Sequence, residues 1–158
     1  MFIGKQHCVI CDIDGTLAHE KLNADGTPVR GWYDYELVHT DVFDTTIGSM
    51  IYGLHCDFNA TIVFLTARVF ESFDVTKKWL ESYMYTYGLE YGHDYVLYTR
   101  SEDDDSCDSV YKVNMIKNTI IPTHGEVIVA FEDRPLVVDS LHDIGVKVFA
   151  VSDQRVKF

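Results

Sequence analysis

Along the chain, short apolar runs alternate with longer stretches whose apolar positions recur every three or four residues. The runs are His7 to Cys11, Thr61 to Leu65, Tyr95 to Tyr98, Val127 to Phe131 and Val146 to Val151. Each is short and mostly β-branched or aromatic, the pattern of strands buried on both faces in a parallel sheet. The stretches between them predict helices over about Phe43 to Phe58, Glu71 to Tyr87, Ser109 to Ile120 and Pro135 to Ile144. In the second helix Thr76, Leu80, Tyr83, Met84 and Tyr87 share one face, which reads as core. Pro135 at a helix start and Gly145 just past its end follow the usual asymmetry of helix termini. Alternation of strand and helix predicts an α/β sandwich with a parallel sheet. Ala18 to Val38 is the one long irregular stretch. It carries Gly26, Pro28 and Gly31 and predicts a loop or small hairpin beside the first strand. Ser101 to Asp108 (SEDDDSCD) reads as a solvated acidic loop.

Composition narrows the functional classes. A length of 158 residues fits one domain spanning 1–158. Thirteen basic residues against 25 acidic ones give a net charge of −12, so a broad positive field for nucleic acid is excluded. A phosphorylated substrate would have to be held locally, by a few arginines or a metal ion. No apolar stretch approaches the about 18 residues of a membrane span. Met1 to Val9 lacks the apolar run and cleavage site of a leader. The cytosol is therefore the expected compartment (the host cytoplasm for a phage-encoded chain), with no membrane partner. Cys8 and Cys11 form C-x-x-C, but inside an apolar run and with no second pair, so buried strand cysteines are the better reading. The seven histidines show no ligand spacing.

Chemistry in an open parallel sheet sits beyond the carboxyl ends of the strands. Here those ends read Asp12-Ile13-Asp14-Gly15-Thr16, Thr66-Ala67-Arg68, Thr99-Arg100 and Glu132-Asp133-Arg134. Asp12 and Asp14 lie close enough to repel unless a cation intervenes or one is protonated. A small set of oxygen ligands suits Mg²⁺, which retains waters and accepts phosphate oxygens. Asp133 is the natural third carboxylate, giving Asp12, Asp14 and Asp133 as the expected metal group.

Asp12-Ile13-Asp14-Gly15-Thr16-Leu17 resembles the D-x-D-G-T-L signature of the haloacid dehalogenase (HAD) superfamily. Thr66, a lysine on a later helix (Lys112 or Lys117) and Glu132-Asp133 follow in that superfamily's order. A closer resemblance is to the 3′-phosphatase half of phage-type polynucleotide kinase–phosphatases. It rests on DIDGTLA, RGWYD with the following HTDV, FLTAR, KKWLE, DSVYK, and FEDR followed by LVVDSLHDIGVKVFAV. The resemblance implies a three-layer α/β sandwich with a mainly parallel, Rossmann-like sheet, and the gaps between motifs leave no room for a large cap domain. It implies Asp12 as nucleophile, Asp14 as general acid–base, and Thr66 and Lys112 on the phosphoryl oxygens. Arg30, Arg68, Arg100 and Arg134, with Thr16, would line the substrate site. Asp108 would support Lys112, and Glu132 would stand beside the metal ligand. Two features depart from the pattern. Glu132-Asp133-Arg134 stands where Asp-Asp-Arg is expected, and the segment between Ala18 and Arg30 is longer than expected.

The implied activity is Mg²⁺-dependent removal of a 3′-phosphate from DNA or RNA ends through an aspartyl-phosphate. The phosphorylated end or a nucleotide would be the partner in binding. A homo-oligomer is compatible with the sequence. So is a separate kinase or ligase partner, because no G-x-x-x-x-G-K-[ST] is present. A mononucleotide or small-metabolite HAD phosphatase would share the catalytic residues and differ in its arginines. A phospho-accepting receiver-like signalling domain is the non-enzyme alternative, but its acidic pair would come first, whereas here D-x-D leads. Structural ion pairs of Arg68 and Arg134 with Glu132 or Asp108 are the plainer alternative to substrate contacts.

Overall fold

Five strands form one parallel sheet in the order β5-β4-β1-β6-β7. They are β1 (His7–Cys11), β4 (Thr61–Val69), β5 (Tyr95–Arg100), β6 (Glu126–Glu132) and β7 (Val148–Ala150). The structure is a computed structural model and describes residues 6–151. The first five positions of the N-terminal stretch expected to lack a leader lie outside the described residues. Among the described residues, no helix is long and apolar enough to cross a membrane.

The chain leaves β1, adds β4 and then β5 on one side, and returns to add β6 and β7 on the other. Right-handed crossovers place helices on opposite faces when the direction of winding reverses. Accordingly α1 (Thr45–Phe58) and α2 (Phe73–Met84) pack on one face, through Ile47, Ile51, Trp79, Leu80 and Met84. On the other face lie α3 (Asp108–Met115), α4 (Ile121–His124) and α5 (Pro135–Asp143), and packing there uses Tyr111, Val137 and Leu141. The strand residues sort with period two. Val9, Cys11, Ile62, Phe64, Tyr95, Leu97, Val129 and Phe131 join the first core, while Cys8, Ile10, Val63, Leu65, Val96 and Ala130 join the second. Burial on both faces is why these strands read as unbroken apolar runs. It also separates Cys8 from Cys11. Three residues apart on a strand, they point to opposite faces, and both are buried free thiols. Burial pushes the Cys8 pKa up to about 12.

Several boundaries differ from the pattern reading. Val42–Phe43 does not begin a helix but forms β3, antiparallel to β2 (Ala18–His19). The helix starts after Asp44, whose carboxylate accepts from the N–H groups of Thr46 and Ile47 at 2.9 and 3.0 Å. Strand β4 continues past Leu65 through Thr66, Ala67 and Arg68 to Val69. Beyond α3 the chain stays helical, passing through a π-helical stretch (Ile116–Ile120) into α4. The wider turn sits just before Pro122, which lacks an N–H and would crowd the carbonyl four residues back. The irregular stretch does hold a small hairpin: Leu22 pairs with Pro28, and Gly26 turns at φ +83°. A 3₁₀ stretch (Tyr35–Thr40) then leads to β3. This β2-to-β3 excursion lies over the carboxyl edge of the sheet, and among the described residues no large cap accompanies it.

Candidate active site

The reversal between β1 and β6 creates the crevice in which open α/β sheets hold ligands. Asp12 follows β1 directly, and its N–H is held by the carbonyl of Phe131 on β6 at 3.0 Å. The chain then turns tightly, with the N–H groups of Thr16, Leu17 and Ala18 all directed at the carbonyl of Ile13. Gly15 makes the turn possible at φ +85°. A Cβ there would also stand 2.2 Å from Asp133 Oδ2, so the absence of a side chain lets the β6 end approach the β1 end.

Asp12, Glu132 and Asp133 converge, with one carboxylate oxygen from each within 4.8 Å of the others. Lys112, on α3 and 3% exposed, answers two of them. Its Nζ donates to Asp12 Oδ1 and to Glu132 Oε2, each at 2.6 Å. Burial raises the Asp12 pKa to about 6 against the opposing pull of Lys112. Burial alone would lower the Lys112 pKa, but Asp12 and Glu132 outweigh it and hold the ammonium above its ordinary value. Burial, and then the neighbouring Asp12 charge, also raises the Asp133 pKa.

Three carboxylates against one ammonium leave a surplus of negative charge, offered entirely by oxygen. That donor set fits a hard divalent cation such as Mg²⁺. The three are not equally available. Glu132 Oε2 is on Lys112, and Oε1 accepts the N–H groups of Asp133 and Arg134 at 3.2 Å. Asp133 is met by the Thr16 hydroxyl at 3.5 Å, a weak contact, and the same hydroxyl lies 3.3 Å from Asp12 Oδ2.

Asp14 turns away from this group. Arg68 grips both its oxygens, Nε to Oδ2 at 2.9 Å and Nη2 to Oδ1 at 2.6 Å. Arg30 reaches Oδ1 at 3.5 Å. Both guanidiniums converge on Asp41, a buried residue of the excursion. Arg30 binds it through Nε and Nη2 at 2.6 and 2.8 Å, and Arg68 through Nη2 at 3.0 Å. Arg68 also donates to Thr76 on α2, and its backbone N–H donates to the Thr66 hydroxyl. On the opposite wall, Asp108 at the start of α3 binds Arg100 at 2.6 Å and pairs with Arg134. The Arg134 guanidinium lies 5.9 Å from the centre of the Trp32 ring. The cleft so enclosed is lined by Asp12, Asp14, Thr66, Arg68 and Lys112 together with Trp32, Tyr33, Tyr35, Asp108 and Arg134.

A family model described as the polynucleotide kinase PNKP phosphatase domain matches residues 6–155. The chain belongs to this HAD-type phosphatase family. A relative in Autographa californica nuclear polyhedrosis virus, named for polynucleotide kinase and RNA ligase activities, is 29% identical over 154 residues. That match covers 95% of this chain and 20% of the relative, so the chain spans about a fifth of the viral protein. Among solved structures, a chain of the Pnkp1/Rnl/Hen1 RNA repair complex superposes with a TM-score of 0.70 at 22% identity, over 98% of this chain and 45% of that one. The class C acid phosphatase of Bacillus anthracis superposes with a TM-score of 0.54 at 12% identity, over 97% of this chain and 69% of that one. At these identities the two structures establish a shared HAD-like fold.

The sequence-predicted residues thus gather at one edge, with three changes of partner. Asp14 has its side chain on Arg68 rather than in the carboxylate cluster, where Glu132 stands instead. Asp108 does not support Lys112; it holds Arg100 and Arg134, and Glu132 supports the lysine. Arg134 makes the Asp108 ion pair foreseen as the plainer alternative, whereas Arg68 pairs with Asp14 and Asp41. Lys117 is exposed, whereas Lys112 is buried against Asp12 and Glu132. Asp41 was missed as a site residue. It lies in an irregular stretch, and its one signal was the HTDV segment that carried part of the resemblance.

Proposed function

We propose that this chain is a Mg²⁺-dependent phosphomonoesterase that removes 3′-phosphates from DNA or RNA ends through an aspartyl-phosphate on Asp12. The observation that carries the reading is the placement of Asp12 at the β1–β6 crevice, with Lys112 on Oδ1 and the Thr16 hydroxyl between Oδ2 and Asp133. Asp12 attacks phosphorus in line with the departing sugar oxygen. Lys112 and Thr66 face the phosphoryl oxygens and offset the charge that spreads over them in the transition state. Asp14 is the general acid–base: with one oxygen released from Arg68 and protonated, it gives that proton to the departing oxygen and later takes one from the attacking water. Arg68, backed by Asp41 and Arg30, sets the direction of Asp14. Asp12 and Asp133 would hold the magnesium ion by their side chains, while the Asp14 carboxylate stays on Arg68. When bound, the ion neutralises charge on the phosphoryl oxygens.

Of the four arginines, Arg134 is best placed to meet substrate. Its side chain is 48% exposed, against 2% for Arg30, 4% for Arg68 and 11% for Arg100. We take residues 1–158 as one catalytic domain that works in nucleic-acid end repair beside a kinase or ligase activity. The relatives named for those activities and for RNA repair support that setting. A phosphate-release panel tests the reading: a 3′-phosphorylated oligonucleotide, a 5′-phosphorylated one, a 3′-mononucleotide and a sugar phosphate. The 3′-phosphorylated oligonucleotide is expected to show the highest kcat/KM. Equal rates on both ends, or a preference for the sugar phosphate, would refute the 3′-end assignment.

A further inference from the structure

Trp32 and Tyr33 are consecutive and exposed, at 53% and 81%, in a loop that lines the nucleophile's own cleft. Large aromatic side chains left in water at a cleft mouth mark recognition surfaces more often than packing. The loop that carries them is firmly held. Arg30 Nη1 donates to the carbonyls of Gly31 and Trp32 at 3.1 and 3.5 Å. The Gly31 N–H donates to Asp34 Oδ2 at 2.8 Å. Tyr35 meets the Tyr33 ring edge-on, with centroids 6.4 Å apart. The guanidinium that reaches Asp14 therefore also pins the aromatic loop.

The electrostatics leave substrate affinity to another source. Arg30, Arg68, Arg100 and Arg134 all face carboxylates already, and the chain as a whole carries −12. Resting on the polynucleotide-end reading above, we infer that the terminal nucleobase of the substrate stacks on Tyr33 and Trp32, so that affinity comes from an aromatic platform more than from phosphodiester contacts. The Arg134 guanidinium, held by Asp108, lies 5.9 Å from the centre of the Trp32 ring, so a charged group borders the platform. A base entering the cleft would lie on these rings beside that guanidinium. Stacking of this kind tolerates any base, which suits an enzyme acting on ends of arbitrary sequence.

The experiment compares two 3′-phosphorylated oligonucleotides that are identical except that one ends in an abasic sugar. For the native protein, the base-bearing end should show a kcat/KM higher by about tenfold or more, mainly through KM. Tyr33→Ala and the double variant Trp32→Ala/Tyr33→Ala should bring that ratio towards one, and Tyr33→Phe should keep it. Binding of both oligonucleotides is measured alongside in EDTA, by displacement of a labelled strand; it should show the same preference and a shallow dependence on salt. A ratio near one in the native protein, or a large ratio that the double variant leaves intact, would overturn the platform. Release of phosphate from neither substrate would instead remove the phosphatase reading, and the binding measurement would then decide the platform alone.

Discussion

Arg68 and Asp14, 54 residues apart in sequence, meet through two parallel hydrogen bonds at the mouth of the crevice. Their meeting depends on β4 running past its apolar run. The strand carries Arg68 beyond the sheet's edge, and Thr76 and Asp41 fix the far side of the guanidinium. A forked donor facing both oxygens sets the direction of a carboxylate in a way that a single ammonium cannot. Arg68→Lys should therefore behave much like Arg68→Ala. Both should lower kcat by about a hundredfold, the scale expected from misplacing a catalytic group by an ångström. Steady-state kinetics on the 3′-phosphorylated oligonucleotide checks this, and native kcat in Arg68→Lys would remove the orienting role.

Lys112 offers a test that separates stability from chemistry. It is buried between two carboxylates, each 2.6 Å from Nζ. Removing one partner of a buried pair commonly costs about 3–5 kcal/mol, because the remaining charge is left uncompensated. In a domain of this size, 3 kcal/mol corresponds to a fall in Tm of roughly 6–12 °C. Lys112→Met should show that fall and lose turnover as well. Saturating Mg²⁺ should restore part of the Tm, since it supplies positive charge at the same place, without restoring activity. An unchanged Tm in EDTA would show that the ion pair contributes nothing.

Much of this arrangement was legible in the chain, and the reasons for the rest are physical. Strands such as Thr61 to Leu65 announce themselves because both faces are buried. The same logic hides the end of β4, where Thr66-Ala67-Arg68 turns polar while the backbone stays extended. Two-residue ribbons such as β2 and β3 carry no period at all, so Phe43 reads as helix until Asp44 is seen capping one. Pro122 suggests a helix end, and the π-helical stretch before it lets the helix continue. Asp12, Thr66 and Asp133 follow from position at strand ends, and Lys112 from the resemblance. Partner choice does not, because Glu132 takes the support of Lys112 expected of Asp108, while Asp108 holds Arg100 and Arg134, through side-chain reach across β6 and α3 that no spacing encodes.

Asp44 joins the excursion to α1 and predicts a pH-dependent contribution to stability. Its carboxylate caps the helix at Thr46 and Ile47, and its other oxygen lies 2.9 Å from His19 Nε2. Burial pushes its pKa up, but the Ile47 N–H and His19 outweigh that and leave it below the usual carboxylate value. A folded-state pKa below the unfolded one means stability is present above the unfolded value, about 3.9, and is lost as pH falls through the folded one. Asp44→Ala should thus cost about 1 kcal/mol at neutral pH. The difference from the native protein should shrink below about pH 4, as the native carboxylate gains its proton. Denaturant unfolding at pH 7 and pH 3 measures both; an equal cost at the two values would place the effect in something other than the ionised cap.

Metal dependence gives the last test, and the unequal availability of the three carboxylates makes it specific. EDTA should abolish phosphate release and Mg²⁺ should restore it, while Ca²⁺, larger and less strict in geometry, should bind and restore little. Asp133 meets a single weak hydroxyl contact, whereas both oxygens of Glu132 are engaged by Lys112 and backbone N–H groups. Asp133→Asn should therefore raise the Mg²⁺ concentration needed for half-maximal activity by about tenfold or more, the scale of losing a ligand-shell interaction. Glu132→Gln should change that concentration less and lower Tm more, because it weakens the hold on Lys112. Activity titrated against Mg²⁺, with Tm followed in parallel, separates the two variants. A larger shift in metal requirement for Glu132→Gln than for Asp133→Asn would exchange their assignments. Full activity after exhaustive chelation would remove the metal altogether.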